Sequence, residues 1–259
     1  MKKLPLVSVI INTFNGEKFL RKSILSATKQ TYKNLEIIIF DNKSKDKTFS
    51  IVKSIKDKRI KYYKSKKYLK LYAARNEAIK KSKGEYLAFL DSDDWWKSNK
   101  IEKQIQHAIR KNYDLVYSNY IIFNQKTKNK KIYTKKKLPE GFITQTLLNK
   151  YVVAVQTVLV KKKFFKNKMF NKRYEIIGDF DFFVNLSLDK NFGSIQKPLA
   201  FYRIHGSNYS IKKMHLHISE MKHWIRNNEE RFKKRNLDIG AQKIYLKKLK
   251  IKNLFNRFV

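Results

Sequence analysis

One pattern constrains this chain more than any other. Three times in its first hundred residues, a short apolar run stops in a polar turn and helical spacing follows. VSVII (7–11) ends in Asn12-Thr13-Phe14-Asn15-Gly16, LEIIIF (35–40) in Asp41-Asn42-Lys43-Ser44, and EYLAFL (85–90) in Asp91-Ser92-Asp93-Asp94. Continuous apolar runs are what strands covered on both faces look like. Between them, residues 17–29 place Leu20, Ile24 and Ala27 at helical spacing, and 46–56 point Phe49, Val52 and Ile55 inward. Residues 71–82 read as a helix closed by Gly84. Residues 100–111 read as another, opened by Asn99 and Glu102 at the spacing of a capping box. Short strands are expected at 60–63 and 115–120. Such alternation predicts an α/β fold, a doubly wound, mostly parallel sheet flanked by helices. Ligands of such sheets bind beyond the carboxyl ends of the strands, so all three polar turns are expected on one rim.

Past Tyr120 the pattern loosens. A Lys/Asn-rich loop or hairpin (125–137) leads to a short helix (144–149), a strand (152–160) and a basic connecting segment (161–173). A helix over 181–190 and a strand over 198–204 follow. The rest is a basic helical tail. The expected division is a ligand-binding half (1–120), a second half of the same domain (121–211) and the tail (212–259). In the tail, Ile251, Leu254, Phe255 and Phe258 share one helix face, with Lys and Arg at 243, 247, 248, 250, 252 and 257. That face either packs on the domain or lies in an anionic membrane interface.

Composition narrows the function classes. The formal charge is +39, and 50 of the 60 cations are lysines. A nucleic-acid reader favours Arg, and no zinc-finger or RNA-recognition signature is present, so no nucleic-acid partner is expected. Without cysteine there is no disulfide scaffold, thiol nucleophile or Cys-ligated metal. No apolar run reaches the roughly 18 residues of a spanning helix. Lys2-Lys3 and the run after them read as a strand rather than a signal peptide, because Asn12 interrupts it. The expectation is a cytoplasmic protein, peripheral on the inner face of the membrane if its tail binds lipid.

No two of the seven glycines are spaced as G-x-G, and none precedes Lys-Ser/Thr, so glycine-rich phosphate cradles are absent. A bound diphosphate would need another neutraliser, and a hard cation held by carboxylates is the natural one. Asp91 and Asp93, one residue apart at a strand end, could hold it.

These segments, with AARNEAIKKSKGEYLAFLDSDDWW, resemble the family 2 glycosyltransferases with the GT-A fold, over roughly residues 5–120 and again at GDFDFF (178–183) and YRIHGSNYS (202–210). The resemblance implies inverting transfer of a sugar from a nucleotide-diphosphate donor, a UDP-sugar first among them, with Mn²⁺ or Mg²⁺. A hexosyl or N-acetylhexosaminyl group would pass to a growing bacterial surface saccharide, such as lipopolysaccharide or capsule, or its lipid-linked form. Asp91 and Asp93 match the family's DxD motif: Asp93 as metal ligand, Asp91 near ribose or metal. Asn12, Thr13 and Phe14 match the turn lining the base pocket, although Phe14 also reads as core. Asp41 matches the Asp that contacts the base; the departure Asp41-Asn42-Lys43-Ser44 leaves open whether Asp41 or Asn42 does so. Arg75 is implied near the nucleotide, Arg203 at the diphosphate and His205 as a third metal ligand. Asp179 matches the general base of a Glu-Asp motif in which this chain has Gly178 for Glu; otherwise Asp179 caps the helix at 181–190. Trp95 and Trp96 read as core or as a sugar-stacking pair. A metal-dependent nucleotidyltransferase and a basic nucleic-acid-binding protein stand as alternatives.

Overall fold

The computed structural model describes residues 4–206 and 208–255. The first half runs β1 (Val7–Thr13), α1 (Leu20–Thr28), β2 (Leu35–Asp41), α2 (Thr48–Ser54), β3 (Ile60–Lys64), α3 (Leu71–Lys81), β4 (Tyr86–Asp91), β5 (Trp95–Trp96) and α4 (Lys100–Arg110). The second runs β6 (Leu115–Asn124), β7 (Lys130–Ile132), α5 (Thr144–Asn149), β8 (Leu159–Lys161), α6 (Gly178–Ser187) and β9 (Phe192–Ile204). Helices α7 (Tyr209–Lys212), α8 (Met214–Lys233) and α9 (Gly240–Phe255) follow. The main sheet has the order β3-β2-β1-β4-β8-β6-β9-β5, with β7 paired to β6. β3, β2, β1 and β4 are mutually parallel, as are β6 and β9. β8 lies antiparallel between β4 and β6 and joins the halves.

Every residue of β1 and β2 is buried because helices cover both faces. The two-residue period of a strand sorts their side chains. Ile10, Ile38, Leu87 and Phe89 join a core with Ala74, Ala78 and Ile79 of α3. Val9, Ile11, Ile37, Ile39 and Leu90 join the other, with Leu20 and Ile24 of α1, Val52 of α2 and Ile101 and Ile105 of α4. Phe182 and Phe183 of α6, Trp224 and Phe232 of α8 and Leu249 of α9 extend the first core.

Several local expectations change. Phe49 is 50% exposed and rests on Tyr62, because seven-residue α2 turns only Thr48 and Val52 inward. Asn99 occupies the N-cap of α4 without a capping bond, and the Glu102 carboxylate instead accepts from the Thr31 hydroxyl at 2.7 Å. Gly84 does not close α3, which ends at Lys81. A Cβ there would meet the Ser8 nitrogen at 2.6 Å, so glycine lets the chain pass close to β1. The strand expected at 152–160 is a 3₁₀ turn (Val155–Thr157) followed by short β8. The expected strand at 198–204 is the end of longer β9, whose ladder slips beside Pro198, where no N–H is available. Helix α6 starts three residues early, at Gly178.

The C-terminal helices pack on the domain. Gln242 is buried and donates to the Leu148 carbonyl, while Ile251, Leu254 and Phe255 are 54%, 54% and 69% exposed. Phe258, expected on the same face, lies outside the described residues. No described helix is long and apolar enough to cross a membrane.

Candidate active site

Parallel pairing sets Thr13 beside Asp41 and Asn12 beside Asp91, so the three polar turns share one rim. They border a cleft of about 1190 Å³ that also takes in Arg75, Asp179 and His205. Sequence positions 12 to 205 thus converge on one opening.

At one end of the cleft, Asp93 Oδ2 lies 2.9 Å from His205 Nε2. The loop carrying His205 is tied down by Asn208, whose Oδ1 accepts the His205 N–H at 2.6 Å and whose Nδ2 donates to the Arg203 carbonyl at 3.0 Å. Arg203 is not on the cleft wall. Its Nε donates to the Asp93 carbonyl at 2.6 Å, its backbone N–H to Asp94 Oδ1 at 2.8 Å, and its guanidinium lies over Phe19 and Trp95. It fixes the backbone that presents Asp93. Trp95 is spent on the same cluster, stacked on Phe201 at 4.6 Å, and is not open to a sugar.

Arg75, 2% exposed, donates to Asp91 Oδ1 at 2.6 Å. Burial pushes the Asp91 carboxyl above the usual carboxylate range, and Arg75 works against that push. Asp179 shows the same balance, raised by burial and opposed by Arg75 and by the Tyr72 hydroxyl. Tyr72 Oη donates to Asp179 Oδ1 at 3.0 Å. Asp179 stands in the first turn of α6 rather than at its cap, which is Ile177. Gly178 belongs to this arrangement: a Cβ there would meet the Tyr72 ring at 2.4 Å. Helix α8 grips the turn before Asp179, its Glu220 carboxylate accepting from the N–H groups of Glu175, Ile176 and Ile177 at 2.7, 2.9 and 3.1 Å. Asp181 faces away, held by Trp224 Nε1 at 3.0 Å and by Asn185.

At the other end, Phe14 is 48% exposed and meets the equally open Tyr68 ring edge-on at 4.9 Å. Phe14 is therefore not core. Asp41 is fully buried, accepting from the Ser44 N–H at 2.7 Å and the Tyr62 hydroxyl, and does not line the cleft. Asn42 does line it, but both ends of its amide hold the Leu69 backbone, at 2.7 and 2.9 Å, beside Tyr68. These two residues shape the loop that carries the exposed ring.

Buried side-chain atoms without a hydrogen-bond partner also line the cleft. Asn12 Oδ1 and Nδ2, Thr13 Oγ1, Tyr151 Oη and Gln156 Nε2 have none, and all four residues line the cleft. Buried polar groups are rarely left unpaired, so these atoms mark positions along the cleft where a ligand's polar atoms belong. Tyr72, Tyr151 and Gln156 escaped the sequence reading.

The donor set fits a divalent cation with two protein ligands. Asp93 and His205, hydrogen-bonded at 2.9 Å and both lining the cleft, bring a carboxylate oxygen and an imidazole nitrogen together, donors that could hold such an ion. Asp91, committed to Arg75, is not a third: among the described residues no three His, Cys, Asp or Glu side chains group around one point.

The sequence pattern of glycosyl transferase family 2 matches residues 8–180. The Escherichia coli protein WfaP, named a UDP-Glc:alpha-D-GlcNAc-diphosphoundecaprenol beta-1,3-glucosyltransferase, is 35% identical over 212 residues, 81% of this chain and 82% of its own. The fold is similar to that of S. aureus TarS residues 1–349, with TM-score 0.65 and 18% identity over 76% of this chain and 60% of that one. It is also similar to that of the Pyrobaculum calidifontis mannosyltransferase PcManGT, solved with GDP-Man and Mn²⁺, with TM-score 0.67 and 14% identity over 95% of this chain and 70% of that one. A GT-A sheet, a matching pattern over two-thirds of the chain and a relative that matches across most of its length make this chain a member of glycosyl transferase family 2.

Proposed function

We propose that the chain is an inverting, metal-assisted glycosyltransferase that moves a hexosyl or N-acetylhexosaminyl group from a UDP-sugar to a hydroxyl of a lipid-linked bacterial surface saccharide. The observation that carries this reading is the shared cleft: the Asp93–His205 pair and Asp179 line one opening bounded by the strand ends. The base would lie against Phe14 and Tyr68, with Asn12 and Thr13 offering polar atoms beside it. Asp93 and His205 would hold Mn²⁺ or Mg²⁺. A bound ion there would balance the negative charge of the diphosphate.

Asp179 takes the proton of the acceptor hydroxyl, whose oxygen forms the new bond to the anomeric carbon as the bond to the diphosphate breaks on the opposite face. A carboxylate pushed upward by burial is a better base than a free one. Arg75, hydrogen-bonded to Asp91, opposes the upward push that burial gives both carboxyls and so favours their ionised forms. Residues 1–120 would then serve the donor and 121–211 the acceptor. The WfaP name supports UDP-glucose as donor, GlcNAc-diphosphoundecaprenol as acceptor and a β-linked product. The exposed apolar positions of α9 support peripheral contact with an anionic membrane, which would bring the site to such an acceptor.

The test is transfer from UDP-Glc, UDP-GlcNAc and UDP-Gal, with Mn²⁺, to an alkyl-diphospho-GlcNAc probe, the product's anomeric configuration being read by NMR. The expected product carries a β bond. An α bond from these α-linked donors, or nucleotidyl transfer instead of sugar transfer, would refute the reading.

A further inference from the structure

Beyond Asp179 the cleft is walled by tyrosines that no motif selects. Tyr120 of β6 and Tyr133, just past β7, stack at 4.6 Å with planes 15° apart. Tyr133 Oη donates to the Tyr151 carbonyl at 3.3 Å, tying the hairpin to the segment before the 3₁₀ turn. The Tyr151 ring meets Phe180, the neighbour of Asp179, edge-on at 5.2 Å. The wall thus ends beside Asp179.

Tyr151 Oη is buried and has no hydrogen-bond partner. Burial, and after it the Asp179 carboxylate, raises this hydroxyl well above the ordinary tyrosine range, so the two groups feel each other and Tyr151 stays a neutral donor. A buried hydroxyl left unpaired is costly unless a ligand completes it. Half-buried rings with one polar tip suit a molecule with an apolar face and a hydroxyl edge, and a pyranose is such a molecule.

We propose that Tyr120, Tyr133 and Tyr151 form the acceptor's pyranose subsite, with Tyr151 Oη hydrogen-bonded to the acceptor sugar next to the hydroxyl that Asp179 deprotonates. This rests on the reading of Asp179 as the base. Tyr133 acts by positioning, because its hydroxyl holds the Tyr151 backbone.

Binding can be read without turnover. Methyl glycosides of GlcNAc, glucose, galactose and mannose, with UDP and Mn²⁺ present, are titrated against the full chain by saturation-transfer NMR with irradiation of aromatic protons. At least one glycoside should receive saturation. Tyr151→Phe should weaken it about three- to tenfold, the range for one neutral hydrogen bond, and leave stabilisation by UDP unchanged. Binding of none of the four by the wild type, equal binding by the variant, or loss of UDP stabilisation in it would each overturn the subsite. Asp179→Asn separates the two claims. If it still turns over, the base reading fails. If it keeps glycoside binding that Tyr151→Phe weakens, the subsite stands.

Discussion

The two halves of the molecule build the same cleft by different means. In the first half, the residues of the rim are strand ends: Asn12 pairs with Asp91, and Thr13 with Asp41, on neighbouring parallel strands, and their placement follows from the sheet. In the other half, Tyr151 comes from an irregular segment, Asp179 from the first turn of a helix and His205 from a loop after β9, each held by a particular bond from elsewhere. Glu220 grips the turn before Asp179, Asn208 the His205 loop, and Tyr133 the Tyr151 backbone. A rim made by strands is placed first by the backbone ladder between them. A wall made by loops depends on its supporting bonds.

That contrast predicts where single substitutions act. The largest effect is expected at Asp179. Asp179→Asn keeps the shape and the Tyr72 contact but cannot take a proton, so turnover should fall at least about a hundredfold while the nucleotide still binds the strand-built rim. Near wild-type turnover would break the assignment, and Asp181, turned toward Trp224, could not replace it.

A smaller effect is expected at Tyr72. Its hydroxyl donates to Asp179 and favours the ionised form, so removing it should raise the Asp179 pKa further. The base then stays protonated to higher pH. In Tyr72→Phe the acid limb of kcat should move upward, with kcat down about three- to tenfold at neutral pH, one hydrogen bond's worth. An unmoved acid limb would show that Tyr72 only packs against Gly178.

The smallest effect on turnover is expected outside the cleft. Replacing Leu254 and Phe255, both exposed on α9, by Ser should cut co-sedimentation with anionic vesicles by about tenfold, from lost apolar insertion. Transfer to a water-soluble acceptor should not change. Equal partitioning would assign those residues to no lipid surface.

The same contrast explains what the sequence could show. The parallel sheet was legible because strands buried on both faces must be apolar throughout, and the polar turns were legible because such strands end sharply. Asp179 and His205 were reachable only through resemblance, since a lone Asp or His carries no periodic signal. Tyr72 was hidden because its role depends on Gly178, 106 positions away in sequence, lacking the atom that would collide with its ring. Arg203 was likewise reached through the resemblance, which set it at the diphosphate, but whether it faced the cleft or the backbone behind Asp93 depended on Phe19 and Trp95 closing over it. Phe49 shows the limit of helical spacing: a two-turn helix has too few positions to bury a whole stripe.

The central claim is that the cleft binds a nucleotide diphosphate through an ion held by Asp93 at the strand-built rim and by His205 of the facing loop. It is tested most directly by thermal denaturation of the wild type and of Asp93→Asn with UDP, with and without Mn²⁺. The account predicts that UDP stabilises the wild type strongly only with Mn²⁺, and that Asp93→Asn, folded and melting near the wild-type temperature without ligand, loses the Mn²⁺-dependent part. Undiminished Mn²⁺-dependent stabilisation by UDP in Asp93→Asn would contradict it.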